Sequence, residues 1–130
     1  MSIKKKQNSD SRGHPRSGKQ DRYIQPSILL GLKIKPSYGY ELIQDIHQFG
    51  FVQGQAPPGM IYRHLRQLEE YGFVVSEWKT EGSGPAKRIY QLTGEGEEML
   101  DVWIRYMAGQ ARLLERFVSI YRKTAETVQK

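Results

Sequence analysis

After a polar leader, the chain turns periodically apolar at Tyr23. In YIQPSILLGLKI, Ile24, Ile28, Leu29 and Leu32 share one face at helical spacing and Pro26 suits a first turn, which predicts a first helix. Pro36 and Ser37 restart the chain. Tyr38, Leu42, Ile46 and Phe49 then predict a second helix of about three turns, closed by Gly50. Phe51 to Pro58 reads as a loop, because Gly54 and the Pro57-Pro58 pair break any continuing pattern. A third helix follows in PPGMIYRHLRQLEEYG, with Ile61, Leu65 and Leu68 on its apolar side and Gly72 as its C-terminal cap. The opposite side carries Gly59, Tyr62, Arg63 and Arg66.

Beyond the cap, FVVSEWKT and AKRIYQLT are rich in β-branched and aromatic residues, and the turn EGSGP joins them as a hairpin. Alternation places Tyr90 and Leu92 on one face as core candidates, and Ile89 and Gln91 on the other. Trp78 is expected to be a packed strand aromatic. Thr93 caps a long final helix with two apolar seams. One runs Met99, Trp103, Tyr106, Leu113, Phe117, Ile120; the other runs Leu100, Ile104, Met107, Ala111, Leu114, Val118, Tyr121. Together they make a wider face than one small domain requires, so Met99, Trp103, Tyr106, Met107, Leu113, Leu114, Phe117, Ile120 and Tyr121 are candidates for a homodimer contact. The alternative, both seams folding back on one protomer, stays open. Gly109, mid-helix, marks a place for a kink or a break.

Charge sharpens the division of the chain. The formal net charge is +6, but residues 1–22 hold seven cations against two carboxylates, leaving 13 cations and 12 carboxylates for the rest. The segment 1–22 is expected to be a disordered basic tail, either a solubilising leader or an arm that touches phosphates. Residues 23–93 then form one compact unit and 94–130 a dimerisation helix or helices. The absence of cysteine excludes disulfides and thiolate chemistry and fits a reducing cytoplasm. No apolar run approaches the ~18 residues that span a bilayer, so no membrane role is expected.

Short helices, a two-stranded hairpin and a capped long helix give a mainly α (α+β) class, in the order of a winged helix-turn-helix domain with a long C-terminal dimerisation helix. A third helix presenting Gly59, Tyr62, Arg63 and Arg66 suits a DNA major groove, since its first turn lacks bulk and arginine pairs well with guanine. Lys87 and Arg88, beside a glycine-rich tip, suit phosphate or minor-groove contact. Duller accounts exist: Tyr62 covering the helix shoulder, and Arg63 or Arg66 pairing with Glu70 or Glu69 at helical spacing. His64 reads as a packed or surface histidine.

The run GYELIQDI, the block PGMIYRHLRQLEEYGFV, the segment GSGPAKRIYQLTGEGEEML and the long helix after it resemble the PadR family of bacterial transcriptional regulators, over about Ile28 to Tyr121. The most specific parts are Gly39-Tyr40-Glu41-Leu42, Pro58-Gly59 with Ile61-Tyr62, and Tyr90-Gln91-Leu92-Thr93 with Gly96. Within the family, GPAKRIYQLT and LLERFVSIY look similar to repressors that respond to polyhydroxybutyrate. The resemblance implies a dimer joined mainly through C-terminal helices, operator binding by the third helix and wing, and release by an effector, a small molecule or polymer. Some relatives stack a flat aromatic ligand on an interface tryptophan; Trp103 does not align with that residue, and the role does not transfer.

Other classes fit less well. His47 lies near Asp45 and Glu41, but no nucleophile or phosphate-binding loop accompanies them, so no enzyme is expected. His14, His47 and His64 are widely separated without carboxylates at ligand spacing, and nothing calls for a metal or cofactor. The rival is a winged-helix adaptor that binds a protein or a storage-granule surface, favoured by the nearly neutral charge outside the tail.

Overall fold

The apolar stripe that opens at Ile24 forms helix α1 (Ile24–Ile34) in the computed structural model, which describes residues 22–51, 57–80 and 82–129. Apart from Arg22, the basic tail therefore lies outside the described residues, as do Gly54 of the loop and Glu81 at the hairpin tip. The order continues with β1 (Ser37–Tyr38), α2 (Gly39–Ile46), a 3-10 turn (His47–Phe49), α3 (Pro58–Glu70), β2 (Val74–Lys79), β3 (Lys87–Leu92) and α4 (Gly94–Gln129). No helix among the described residues is long and apolar enough to cross a membrane.

The core follows the periodicity. Ile24, Ile28, Leu29 and Leu32 of α1 meet Leu42 and Ile46 of α2 and Ile61, Leu65 and Leu68 of α3, while Val74, Tyr90 and Leu100 close the cluster. Full burial of each large aliphatic side chain contributes about 1.5–3 kcal/mol, so these residues dominate the stability of the domain. Across the α1/α2 contact, a β-carbon on Gly31 would stand 2.6 Å from Leu42 Cδ1, so the glycine sets how closely the two helices approach.

The sheet has three strands rather than the two of a simple hairpin, in the order β1-β3-β2 and antiparallel throughout. Ser37 pairs with Tyr90 and Tyr38 with Ile89, so the residues between α1 and α2 cover one edge of β3. A two-residue strand has no period of its own, and its pairing depends on β3 being there already.

The junctions are capped as the sequence predicts. Gly72, at φ 85°, ends α3: its amide donates to Glu69 O at 3.0 Å and the Phe73 amide to Leu68 O at 3.0 Å, the paired bonds of a Schellman motif. Thr93 Oγ1 accepts from the Gly96 amide at 2.9 Å and donates to Gly72 O at 2.7 Å. One hydroxyl therefore starts α4 and fastens it to the end of α3. The helix then runs through Gly109 for 36 residues as a single element, so of the kink or break that this glycine could mark there is no break. The cost of a mid-helix glycine, about 1 kcal/mol, is too small to outweigh the flanking turns.

Candidate nucleic-acid interface

Helix α3 begins at Pro58, whose missing amide hydrogen costs nothing in a first turn, and Ile61, Leu65 and Leu68 turn inward. That register fixes the other face: Gly59, Tyr62, Arg63 and Arg66 are all exposed. Neither Arg63 nor Arg66 forms an ion pair among the described residues, so the alternative pairing with Glu69 or Glu70 does not hold them. Gly59 faces open space. His64 stands aside, half-buried, with its Nδ1 3.2 Å from Gln25 Nε2 on α1, where Gln25 also donates to Gln67 Oε1 at 3.1 Å.

Tyr62 is 38% exposed, and its ring tip leans on the start of α2. A β-carbon at Gly39 would lie 2.6 Å from both Tyr62 Cε1 and Oη, so the glycine vacates the space the phenol fills. Its neighbour Tyr40, 52% exposed, stacks on Tyr38 with centroids 6.0 Å apart and planes 7° apart. The Lys87 ammonium of the wing lies over the Tyr40 ring, 5.4 Å from its centroid. Tyr62, Gly39, Tyr40 and Lys87 thus link α3 to the wing across one surface. Tyr40 belongs to the Gly39-Tyr40-Glu41-Leu42 run that marks the family resemblance but carries no predicted contact, because only the β1/β3 pairing brings it to the wing.

Arg88 is placed differently from Lys87. Its Nε donates to Ser76 Oγ at 2.8 Å and its Nη2 stands 3.6 Å from Glu69 Oε2, while the Ser76 hydroxyl donates to the same carboxylate. The guanidinium also lies over Trp78, 5.3 Å from the ring centroid. Trp78 is not packed as expected: it is 64% exposed, because the hairpin extends beyond the core it covers. Behind this group, Tyr90 is 7% exposed. Burial, more than the nearby charges, pushes its phenol above the ordinary tyrosine pKa; the Glu69 carboxylate pushes the same way, and Arg88 and Arg66 oppose.

The candidate dimer residues separate into two groups along α4. Met99 and Trp103 are half-buried and pack against the core, and Trp103 meets Tyr23 and Tyr106 edge-on at 6.2 and 6.1 Å. Met107 is half-buried, whereas Tyr106, Leu113, Leu114, Phe117, Ile120 and Tyr121 are exposed, Phe117 to 75%.

Comparison with known proteins agrees with this geometry. Among curated proteins, none matches the chain. Among solved structures, a conserved protein of unknown function described as a potential transcriptional factor is 33% identical, with 88% of this chain and 97% of that one covered and a TM-score of 0.68. A PadR family transcription regulator from hypervirulent Clostridium difficile is 25% identical over 74% of this chain and 98% of its own, with a TM-score of 0.65. PadR of Bacillus subtilis, solved in complex with operator DNA, is 26% identical over 64% of this chain and 47% of its own, with a TM-score of 0.57. The family of PadR-like transcriptional regulators, which are DNA-binding proteins and not enzymes, matches residues 28–102. With its winged helix, its outward-facing α3 and a family match over more than half its length, the chain belongs to the PadR-like family of transcriptional regulators.

Proposed function

We propose that this protein is a sequence-specific repressor that binds a palindromic operator as a homodimer and is released by an effector. The observation that carries the reading is the joined surface on which Tyr62, through Gly39 and Tyr40, reaches Lys87 of the wing. A helix with Gly59, Tyr62, Arg63 and Arg66 outward fits the major groove, and a wing carrying Lys87 and Arg88 fits the adjoining backbone. The reading divides the chain into a basic tail at 1–22, a DNA-binding unit at 23–93 and a dimerisation helix at 94–130, and places the protein in the cytoplasm.

The exposed row from Tyr106 to Tyr121 supports a second copy as the partner of α4, since an isolated helix gains nothing from so much apolar surface in water. A twofold dimer sets its two α3 helices on half-sites about 34–36 Å apart. An effector releases such a dimer by binding better to a form with the wrong spacing. An apolar cavity of about 390 Å³ lined by Arg22, Met99, Val102, Trp103 and Tyr106, where α4 leaves the domain, is where the effector would act. The likenesses support the family and not the polyhydroxybutyrate-responsive subgroup.

The test is selection of bound duplexes from a random-sequence pool by the full chain, followed by a shift assay with wild type and the Arg63→Ala, Lys87→Ala double variant. The wild type is expected to select a palindrome that the double variant loses. Retention of any sequence equally by both proteins sinks the reading and favours an adaptor that binds a protein or granule surface.

A further inference from the structure

Toward its tip the hairpin has no apolar core to lean on: beyond Val74 and Tyr90, no described residue of β2 or β3 on that side is buried. What ties this stretch to α3 is polar. The Ser76 hydroxyl donates to Glu69 Oε2 and accepts from Arg88 Nε at 2.8 Å, and Arg88 Nη2 stands 3.6 Å from the same carboxylate oxygen. Three side chains, one each from α3, β2 and β3, therefore close on one another. Of the ion pairs among the described residues this one has the most sheltered carboxylate, the Glu69 side chain being 27% exposed against 38–62% for the others. The Arg88 guanidinium also lies 5.3 Å from the Trp78 ring centroid, so stacking and hydrogen bonding hold it together. The preceding residue, Lys87, alternates to the opposite sheet face, over Tyr40, and makes no ion pair among the described residues.

A protein that sets a helix in a groove and a wing on the backbone gains fully from both only when their spacing is fixed beforehand, since a loose wing must be ordered on binding. Binding driven by charge alone has no such requirement. We propose that Glu69, Ser76 and Arg88 are positioning residues: as a clamp between α3 and the hairpin they fix the angle of the wing, and through it the discrimination of operator from other DNA, without touching the duplex themselves. The proposal rests on the operator-binding reading above and departs from it at Arg88, whose charge is taken up inside the protein and not by a phosphate.

The experiment uses the full chain, a duplex that the wild type selects from a random-sequence pool and a scrambled duplex of equal length, below the melting temperature of every variant. Glu69→Gln gives the sharpest contrast, because removing a carboxylate near a polyanion strengthens binding where charge alone counts. The clamp predicts the opposite for the selected duplex, about tenfold weaker binding, with the scrambled duplex bound as well as before or better. Arg88→Gln should weaken the selected duplex by a similar factor at an unchanged slope of log affinity against log salt, whereas Lys87→Gln should lower that slope by about 0.9, the value for one phosphate. The Glu69→Gln, Arg88→Gln double variant should lose no more than either single one. Ser76→Ala keeps both charges and should lower the ratio of selected to scrambled affinity about fivefold, on the order of one hydrogen bond, and it decides the matter if a charge variant does not fold. Unchanged ratios, or a gain for both duplexes in Glu69→Gln, overturn the clamp and leave the operator reading standing. A slope lowered by about 0.9 in Arg88→Gln makes that residue a phosphate contact and overturns it too. If the wild type selects no duplex, the operator reading itself fails and the clamp's role with it.

Discussion

The phenol of Tyr62 fills the space that a side chain at Gly39 would need, with Oη 2.6 Å from the position of the missing β-carbon. Because Tyr62 is partly exposed, it has room to swing away. Gly39→Ala is therefore expected to move the phenol at a stability cost below about 1 kcal/mol, less than is usual for overpacking a closed core. Duplex affinity should fall much further than the melting temperature. Loss of stability as large as that of a core truncation counts against this account.

Two glycines of α4 should respond to alanine with opposite signs. At Gly96 a β-carbon would collide with the backbone of α3's exit, 2.1 Å from Phe73 O, and with Leu92 Cδ1 at 2.7 Å. Gly96→Ala should destabilise by about 1–3 kcal/mol or more, since backbone cannot step aside as a side chain can. Gly109 meets nothing closer than Arg112 Nη2 at 3.9 Å, so Gly109→Ala should stabilise the helix by up to about 1 kcal/mol. Denaturant titration of both variants checks the pair.

Removing the Thr93 hydroxyl takes away the bond from the Gly96 amide and the bond to Gly72 O together. Thr93→Ala should cost about 1–2 kcal/mol, the upper part of the range for a lost cap, and Thr93→Ser should recover most of it. Equal melting temperatures for all three proteins would show that the junction contributes nothing.

The raised pKa of Tyr90 has a definite pH signature. A buried phenol that keeps its proton in the folded state contributes stability that is full below the unfolded value of about 10 and lost as pH rises from there through the folded value. The wild-type melting temperature should thus drop above pH ~10 more steeply than that of Tyr90→Phe. Parallel curves for the two proteins would remove burial of Tyr90 as a source of alkaline instability.

Much of this was legible one residue at a time. The stripe Ile61, Leu65, Leu68 fixed which side of α3 faces out, and Gly72 and Thr93 announced the two caps, because periodicity and capping are local properties. What escaped depends on partners distant along the chain. Strand β1 exists only because β3 offers it an edge, and Tyr40 meets Lys87 by the same pairing. Arg88 reads as a free cation until Glu69 and Ser76 close around it, and Trp78 reads as packed until the hairpin is seen to outrun the core.

The cap at Thr93 has a mechanical consequence. The 36 residues of α4 make a rod roughly 54 Å long at 1.5 Å per residue. Its root is clamped to the last turn of α3 and, by the Thr93 amide to Phe73 O at 3.1 Å, to the entry of the wing. A tilt of one degree at that root moves the far end by about 1 Å, given that length. The same lever works in reverse: in the proposed dimer, a shift of a few ångströms where two such rods met would reorient the DNA-binding unit by only a few degrees.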